Sequence, residues 1–500
     1  MKKGDLTLYL HDYTFFPYER ELAKREVTAL VGSKFTAEER CFRVEPTWND
    51  TNLWRLTYFS HFENGHGPSD TLQRILEVSH QATLGRGHRR QSTRYSVHGL
   101  HEYKGKFNPQ LAHVLLNIFG ADHRHRILDP FCGSGTTLVE AAHLGITGIG
   151  FDMNPLAVYV ANAKLLALGS DASCLRADLH KVLRVLSRAK VAEKCDNQRY
   201  TYLSKWFTPE VLLDLELLRS AITSEANKPS ASFFLTVASD LLRDWSLQEP
   251  ADLRIRRRRS PLPAIPFLDA WRVAVNQRIG LIEAIQPLLP PRHNPSEVRL
   301  ADARQRVNAS ELNGKFNFVI TSPPYATALP YIDTQRLSLV WLGLIEPDEI
   351  RKLEADVLGS REVFREELQL KTALYGNTAG LPEDVFEFCL KLANSIGAND
   401  GFRRQAVPAL LYRYLAGMKA TFSNLYHLVQ EGGRMAWVVG VNRTTLNGRL
   451  IVIDTPSLLC KIADQAGFCI EEIIPLQTYQ RYGLHQKNSI RQESVIMFRR

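Results

Sequence analysis

The sequence predicts an α/β protein with a mostly parallel sheet, and two segments carry that prediction. Residues 126–152 read as a strand, a glycine-rich turn, an amphipathic helix and a second strand, which together form a βαβ unit. Residues 316–325 are an apolar, β-rich run that ends in two prolines, as expected of a buried strand followed by a turn. Because ligands bind at the carboxyl ends of strands in such sheets, we expect both turns to belong to one site.

The composition is typical of two or three domains and favours a polyanionic partner. The 500 residues are 44% hydrophobic, and the net charge of +9 favours nucleic acid. The seven cysteines form no C-x-x-C pair, so we expect no metal site and no dithiol chemistry. We find neither a signal peptide nor an apolar stretch of membrane-spanning length, and therefore expect a cytoplasmic protein without a membrane partner.

Residues 1–85 predict a small N-terminal α/β unit without recognisable chemistry. Leu6–Leu10 is a strand-like run, residues 19–31 are helix-like, and residues 42–44 and 53–59 are further strand candidates. The unit is either a device for positioning the substrate or a structural extension.

A basic stretch with interleaved aromatic residues follows. The aromatic residues are Tyr95, Tyr103 and Phe107. The basic residues are Arg86, His88, Arg89, Arg90, Arg94, His98, His101, Lys104 and Lys106. Such a stretch either contacts phosphates while its rings stack on bases or on a cofactor, or is an ordinary solvated loop.

The glycine-rich turn at 130–135 suits a nucleoside cofactor that lacks a pyrophosphate. Gly133 and Gly135 allow the backbone to approach a ligand closely, and the following helix adds the positive end of its dipole. The turn lacks the phosphate-loop pattern, and Leu138 stands where the dinucleotide fingerprint has its third glycine. Asp152, at the end of the next strand, either accepts hydrogen bonds from ribose hydroxyls or caps the following helix.

Residues 166–297 are too long for a loop and predict an insertion with helices over 212–218 and 233–242. Their run of arginines at 254–259 is either a clamp on a DNA backbone or a solvated loop.

The last part of the chain predicts the second half of the sheet. Strand candidates are residues 298–300, 434–440, 469–474 and 494–498, with a turn at 431–433 and a helical, irregular part from 331 to about 420. The Pro-Pro turn (residues 322–325) offers the Ser322 hydroxyl, carbonyl groups and the Tyr325 ring, which suit a planar ring bearing an amine. The alternative is a plain loop with Tyr325 packed on the core.

Two segments resemble motifs of the S-adenosylmethionine-dependent amino-methyltransferases of DNA. Asp-Pro-Phe-Cys-Gly-Ser-Gly-Thr-Thr at 129–137 resembles motif I, and Ile-Thr-Ser-Pro-Pro-Tyr at 320–325 resembles motif IV in the form typical of cytosine-N4 enzymes. Adenine-N6 enzymes more often begin motif IV with Asp or Asn. Residues 101–109 resemble the segment that closes over the cofactor. The resemblance covers roughly residues 95–165 and 298–500.

The resemblance implies a Rossmann-like S-adenosylmethionine methyltransferase sheet with a helical insertion and the small N-terminal α/β unit. Residues 86–165 would form the cofactor-binding half, residues 166–297 the helical insertion and residues 298–500 the catalytic half.

The resemblance also assigns roles to residues that match the motifs. The implied cofactor-binding residues are Phe107, Asp129, Phe131, Gly133, Gly135, Thr136, Asp152 and Asp302. For Asp302, the alternative to contact with the adenine of the cofactor is a surface position in a turn. The implied catalytic residues are Ser322, Pro323, Pro324 and Tyr325.

The implied reaction is methyl transfer from S-adenosylmethionine to the N4 amine of a cytosine flipped out of double-stranded DNA. The implied setting is restriction–modification or DNA protection, with a cognate restriction endonuclease as partner. Alternatives are adenine-N6 methylation, methylation of RNA or protein amines, and a non-catalytic nucleic-acid-binding protein. A cytosine-C5 enzyme is disfavoured because the chain has no Pro-Cys pair for a nucleophile.

Overall fold

The computed structural model describes residues 5–46, 48, 51–84, 91–188, 197–252, 255–290, 295–326, 332–361, 367–477 and 492–500. The basic positions Arg86, His88, Arg89, Arg90 and Arg254 lie outside the described residues.

The N-terminal unit is an antiparallel five-stranded sheet with two helices. The strands follow the order β2-β3-β1-β4-β5. The elements are β1 (Leu6–Leu10), α1 (Pro17–Leu30), β2 (Phe35–Ala37), β3 (Cys41–Val44), β4 (Phe59–Glu63), β5 (Pro68–Asp70) and α2 (Leu72–Leu84). The first strand, the helix and the strand near residue 42 confirm the sequence prediction.

The strand expected over residues 53–59 is wrong. Leu53–Arg55 forms one turn of 3-10 helix, and the strand begins only at Phe59. The turn directs the Arg55 side chain inward, where its guanidinium donates to the carbonyl of Ala121 at 2.7 Å. An apolar run that is buried on all sides has no alternation to distinguish a strand from a helical turn.

The central sheet has seven strands in the order β13-β14-β10-β9-β6-β7-β8. The strands from here on are β6 (Arg126–Asp129), β7 (Thr147–Asp152), β8 (Glu297–Leu300), β9 (Phe316–Thr321), β10 (Val429–Gly440), β11 (Asn442–Leu446), β12 (Arg449–Ile453), β13 (Cys469–Gln477) and β14 (Gln492–Arg499). Neighbouring strands are parallel from β8 to β10, and β14 is antiparallel to both β10 and β13. β11 and β12 form a separate two-stranded ribbon. This architecture confirms the Rossmann-like fold.

Helices connect the strands and form the insertion. They are α3 (Pro109–Ile118), α4 (Thr136–His143), α5 (Pro155–Gly169), α6 (Ala172–Leu186), α7 (Gln198–Leu203), α8 (Pro209–Glu225), α9 (Lys228–Trp245), α10 (Phe267–Ile285), α11 (Arg336–Trp341), α12 (Ile350–Asp356), α13 (Glu367–Tyr375), α14 (Glu383–Asn394), α15 (Phe402–Gln405), α16 (Val407–Leu428) and α17 (Thr455–Gln465). The helices expected at 212–218 and 233–242 are α8 and α9, and the irregular part after residue 331 is helical as expected. The insertion helices share one buried core with α4 and α5. In the described part of the chain, no helix combines the length and the apolar character needed to cross a membrane.

The N-terminal unit and the central sheet share a second buried core. Leu8 and Phe59 of the unit lie in the same cluster as Phe318 of β9 and Val438 of β10. The unit therefore covers one face of the central sheet.

The turn expected at residues 431–433 is wrong in part, because β10 runs through it. The pairing of β10 with β9 shifts register between Val429 and Arg434, and Gly432 has a φ of +72°. Glycines at the end of a strand predict a turn, but within a strand they also permit a β-bulge, and a β-bulge is what forms here.

Candidate functional site: two turns at the point where the strand order reverses

The glycine turn (residues 130–135) and the Pro-Pro turn leave the carboxyl ends of two neighbouring strands. β6 pairs in parallel with β9, and the chain continues from β6 to one side of the sheet and from β9 to the other. This is the point where open α/β sheets bind ligands. The sequence-predicted halves of the site are therefore adjacent in space.

Glycine is required in the glycine turn by both conformation and space. Gly133 and Gly135 have φ values of +49° and +82°, where side chains are strained. A Cβ atom on Gly135 would lie 2.9 Å from the Cβ of Ala161 in α5, and one on Gly133 would lie 3.3 Å from the Tyr103 ring. α5 and Tyr103 thus pack directly on the turn, and Thr136 begins α4 behind it.

Asp152 ties the glycine turn to the start of α5. Its carboxylate accepts the backbone N–H of Gly133 at 2.9 Å and that of Asn154 at 2.8 Å. The residue that caps α5 is Asn154, whose side chain accepts from the N–H of Leu156. The cap predicted as the alternative for Asp152 therefore lies two residues later. Burial raises the pKa of Asp152 to about 6.

Asp129 joins the two turns. The hydroxyl of Thr321, the last residue of β9, donates to Asp129 Oδ1 at 2.6 Å, and the Thr137 hydroxyl donates to the carbonyl of Ile320 at 3.1 Å. Among the described residues, the buried Oδ2 atom of Asp129 has no hydrogen-bond partner. Burial raises the pKa of Asp129 to about 6. The carboxylate thus has one committed oxygen and one available oxygen.

The Pro-Pro turn is held by bonds from both of its polar side chains. The Ser322 hydroxyl donates to the carbonyl of Val438 in β10 at 3.1 Å, and the Tyr325 phenol donates to Glu493 Oε1 of β14 at 2.9 Å. Pro323 is buried, whereas Ser322, Pro324 and Tyr325 are half-buried. Tyr325 is therefore tethered at its hydroxyl end and not enclosed in the core.

Asp302 lies just beyond the carboxyl end of β8 and is paired with Arg304. Its carboxylate accepts the backbone N–H of Arg304 at 2.9 Å and the guanidinium Nε at 2.9 and 3.0 Å. The same guanidinium lies 3.4 Å from the sulfur of Met153, which follows Asp152. The structure thus connects Asp302 to the end of β7, while its position in a turn agrees with the plainer alternative as well.

The two phenylalanines predicted to bind the cofactor lie in different surroundings. Phe131 is half-buried and meets Trp437 edge to face, with 6.1 Å between ring centroids. Phe107 is half-buried and packs against the core shared with the N-terminal unit. Tyr103, which the sequence analysis placed only among the aromatic residues of the basic stretch, is the ring next to Gly133.

A buried carboxylate holds α4 in place behind the glycine turn. Glu140 accepts hydrogen bonds from Tyr95 at 2.9 Å, from His98 at 2.5 Å and from His113 at 2.7 Å. Burial alone would raise the pKa of Glu140, but the neighbouring His143 and the donated hydrogen bonds hold that pKa well below its usual range. Ligand atoms of His98, Glu140 and His143 lie within 4.8 Å of one another, a spacing that a metal ion would also accept. The hydrogen bonds already account for this geometry.

Lys164 of α5 supports the glycine turn from beneath. Its buried ammonium group donates to the carbonyl of Ser134 at 3.0 Å. Burial lowers the pKa of Lys164 to about 7. No local pattern in the sequence distinguishes this lysine from a surface residue of a helix.

Several basic residues that were candidates for phosphate contacts have structural roles. His98 and His101 are buried, and Lys106 donates to the carbonyl of Thr93. In the arginine run, Arg258 donates to four carbonyls of its own neighbourhood, and Arg257 stacks on the Trp206 ring at 4.9 Å. Arg256 pairs with Asp252 at 3.0 Å, so three members of the run have other partners. The clamp on a DNA backbone stays a prediction.

Comparison with known proteins identifies methyltransferase relatives. Residues 100–197 match the UPF0020, RMKL-like methyltransferase domain. The type II methyltransferase M.MvaI of Kocuria varians is 26% identical over 294 residues, which are 54% of this chain and 63% of that protein. M.MjaII of Methanocaldococcus jannaschii is 47% identical over 74 residues, which are 14% of this chain and 13% of that protein. M.BsoBI of Geobacillus stearothermophilus is 24% identical over 457 residues, which are 83% of this chain and 84% of that protein. The matches thus span less than two thirds of M.MvaI and of M.MjaII.

The glycine turn fits S-adenosylmethionine, the cofactor of the methyltransferases that this chain resembles. Two buried polar atoms there, Asp129 Oδ2 and Ser134 Oγ, have no hydrogen-bond partner in the described part of the chain. The glycines leave the backbone of the turn open to a ligand, and a carboxylate suits a cofactor that carries positive charge. The matching domain, the type II relatives, the strand order and both motifs together support the resemblance of this chain to the S-adenosylmethionine-dependent methyltransferases of DNA.

Proposed function

We propose that this protein methylates the N4 amine of cytosine at specific sites in double-stranded DNA, in a restriction–modification or DNA-protection system. The type II relatives and the basic net charge support DNA as the substrate. Serine at position 322 supports cytosine, because the resemblance to cytosine-N4 enzymes depends on that residue. A restriction endonuclease that cuts the same sequence is the partner that the type II relatives suggest.

The direction of the Ser322 hydrogen bond carries the proposal. The hydroxyl hydrogen is donated to the carbonyl of Val438, so the Oγ lone pairs remain to accept a hydrogen bond. The exocyclic amine of a nucleobase is a donor of two N–H groups. The Ser322 oxygen and the Pro323 carbonyl would each accept one of them.

The neighbouring residues align the amine with the cofactor. S-adenosylmethionine supplies an electrophilic methyl group. Thr321 binds Asp129, so the acceptor Ser322 is one residue away from the link to the glycine turn. The Tyr325 ring, tethered through its hydroxyl, would stack on the flipped base. Holding the N–H groups makes the amine more pyramidal and its lone pair more available. Transfer would form a bond between the nitrogen and the methyl carbon as the bond from that carbon to the sulfonium sulfur breaks and leaves a neutral thioether. The methylated nitrogen would then release one proton to solvent.

Positioning and preorganised dipoles would supply most of the rate. The sheet fixes the acceptor groups before the substrate binds, because Ser322 and Tyr325 are each bonded to a neighbouring strand. No strong base is required, since the proton leaves from an amine that has become cationic.

The test is to incubate the protein with labelled S-adenosylmethionine and unmodified DNA, digest the DNA to nucleosides and identify the labelled product by mass spectrometry. N4-methylcytosine is the expected product. N6-methyladenine would retain the site chemistry and correct the base. Label in RNA but not in DNA, or cofactor binding without any turnover, would overturn the proposal.

Two substitutions test the assigned roles. Ser322→Ala removes an acceptor and is expected to lower kcat by roughly 100-fold, the effect typical of losing one preorganised polar group. Tyr325→Ala removes the stacking ring, whereas Tyr325→Phe retains the ring and loses only the bond to Glu493. Full activity of Ser322→Ala and Tyr325→Ala would exclude these roles, while activity of Tyr325→Phe well above that of Tyr325→Ala would support stacking.

A further inference from the structure

We propose that the ribbon formed by β11 and β12 enters a groove of the DNA duplex beside the target base; this inference rests on the proposed function. The ribbon begins two residues after the carboxyl end of β10, at the edge of the sheet that carries the Pro-Pro turn. The Asn442 side chain donates to the carbonyl of Ala326 at 2.6 Å, and Ala326 directly follows Tyr325. The ribbon is thus attached to the proposed catalytic turn.

The inner face and the tip of the ribbon are fixed to the protein. Leu446 and Ile453 are buried in the core that also contains residues of α16 and α17. The tip turns at Asn447-Gly448, with φ values of +48° and +72° as in a tight hairpin, and the Asn447 N–H donates to Asp400 at 2.8 Å. The ribbon is therefore a rigid projection, which suits an element that must enter a groove in one orientation.

The outer face of the ribbon combines positive charge with exposed apolar side chains. In the pairing register, Arg443 lies opposite Val452, and Thr445 lies opposite Leu450, so these four side chains share one face. Leu450 is 64% exposed and Val452 is 53% exposed. Arg443 is exposed on this face. Arg449 lies opposite Leu446 in the register, beside the tip, and is exposed as well. Within the described ranges neither guanidinium has an ion-pair partner.

Duplex DNA is the occupant whose chemistry this face matches. The major groove is about 12 Å wide and admits a two-stranded β-ribbon. Arginine binds phosphates or the edge of guanine, and apolar side chains contact the thymine methyl group or insert between base pairs beside a flipped base. The ribbon therefore offers both a means of sequence readout and a means of holding the gap left by the target.

A second copy of the chain is the competing occupant, and the face suits it poorly. A stable interface between proteins buries about 800 Å² on each partner, which is more than four side chains on a narrow ribbon provide. In a symmetric contact the arginines of both copies would also approach one another, and like charges disfavour association.

The experiment compares two double variants with controls at the amino ends of the sheet strands, away from the ribbon. Arg443→Ala/Arg449→Ala removes the cations, and Leu450→Ala/Val452→Ala removes the apolar pair. The matched controls are Lys315→Ala, an exposed cation just before β9, and Ile470→Ala, a 39% exposed apolar residue near the amino end of β13. The measurements are kcat/KM for DNA methylation, DNA affinity at several salt concentrations, and affinity for S-adenosylmethionine alone.

We expect both ribbon variants to lower kcat/KM for DNA at least tenfold and to bind S-adenosylmethionine like the parent chain. The arginine variant should also reduce the slope of log affinity against log salt by about one or two, because each lost phosphate contact removes roughly one released counterion. The apolar variant should leave that slope unchanged. The controls should retain parental values.

The outcomes separate this inference from the proposed function. If the parent chain methylates no DNA, both fail together. If the parent chain methylates DNA and the ribbon variants match the controls, the proposed function stands and the role of the ribbon is refuted. A parental dimer that dissociates in the Leu450→Ala/Val452→Ala variant with undiminished DNA turnover would identify the face as a contact between copies and overturn the inference.

Discussion

Replacing Asp129 by asparagine is expected to stabilise the folded protein at neutral pH while impairing its function. Burial raises the pKa of Asp129 from 3.8 to about 6, so ionising this carboxyl costs about 3 kcal/mol more in the folded protein than in the unfolded chain. Below pH 3.8 the group is protonated in both states and the cost vanishes. This loss of unfolding free energy increases as the pH rises from 3.8 to 6 and stays constant at higher pH. The amide of an asparagine side chain carries no charge and avoids this cost.

The assay is urea unfolding of the cofactor-free protein at pH 4 and at pH 7.5, followed by tryptophan fluorescence. The Asp129→Asn variant should gain about 3 kcal/mol of unfolding free energy at pH 7.5 and close to none at pH 4. Its affinity for S-adenosylmethionine at pH 7.5 should fall roughly tenfold or more, because a charged hydrogen-bond acceptor is lost. Asp348→Asn, a change of the same kind at an exposed position, is the control and should alter neither quantity.

A gain of equal size at both pH values would show that burial of the charge is not its cause. A variant less stable than the parent at pH 7.5 would show that the bond from Thr321 to the carboxylate outweighs the cost of desolvating it. Undiminished cofactor affinity would remove Asp129 from the binding site, whatever its effect on stability.

Three further substitutions test the supports of the glycine turn. Glu140→Gln removes the charge at the centre of a buried network and should cost about 3–5 kcal/mol of unfolding free energy, measured in urea; an unchanged midpoint would contradict this. Gly135→Ala places a Cβ 2.9 Å from that of Ala161 at a φ of +82°. We therefore expect a loss of at least about 1–2 kcal/mol of unfolding free energy and weaker binding of S-adenosylmethionine by calorimetry. Parental affinity would show that the turn can shift to accommodate the methyl group. Lys164→Met removes an ammonium group whose pKa burial lowers from 10.5 to about 7, a cost that is fully present below pH 7 and disappears as the pH rises to 10.5. This variant should be more stable than the parent at pH 6 and should lose that advantage by pH 10. Its KM for S-adenosylmethionine should rise, because the carbonyl of Ser134 loses its hydrogen-bond donor. A KM equal to the parental value would limit Lys164 to a structural role.

The parts of the fold that local patterns specify were predictable. β6, the glycine turn and α4 follow one another within eighteen residues, and each has its own signal in apolar runs, glycines or a helical period. The Pro-Pro turn was found because proline ends a strand regardless of its surroundings. Joining the two turns required only the rule for parallel sheets.

The parts that depend on contacts distant in sequence were not predictable. In the sequence His98 belongs to a basic stretch, but its partner Glu140 lies 42 residues away, and the buried hydrogen bond gives His98 a structural role. Glu493 tethers Tyr325 across 168 residues. Neither pairing leaves a periodic pattern, because each depends on which strands become neighbours.

The ribbon of β11 and β12 was missed although a local signal for it exists. Asn447-Gly448 stands between two runs rich in threonine, leucine and isoleucine, which is a strong hairpin pattern. The two strands lie outside the main sheet, so the pattern of alternating strands and helices that predicts that sheet does not include them.

The core shared by the N-terminal unit and the central sheet means that the unit is not a detachable module. Removing residues 5–84 would expose Phe318 and Val438 on one face of the central sheet. It would also remove the carbonyl of Arg55, which accepts a hydrogen bond from His113 of the Glu140 network. Two elements that share a core lose their stability together. In the course of evolution, this unit and the central sheet would therefore be inherited and exchanged as one piece. Substitutions in the unit would affect the glycine turn without contacting it.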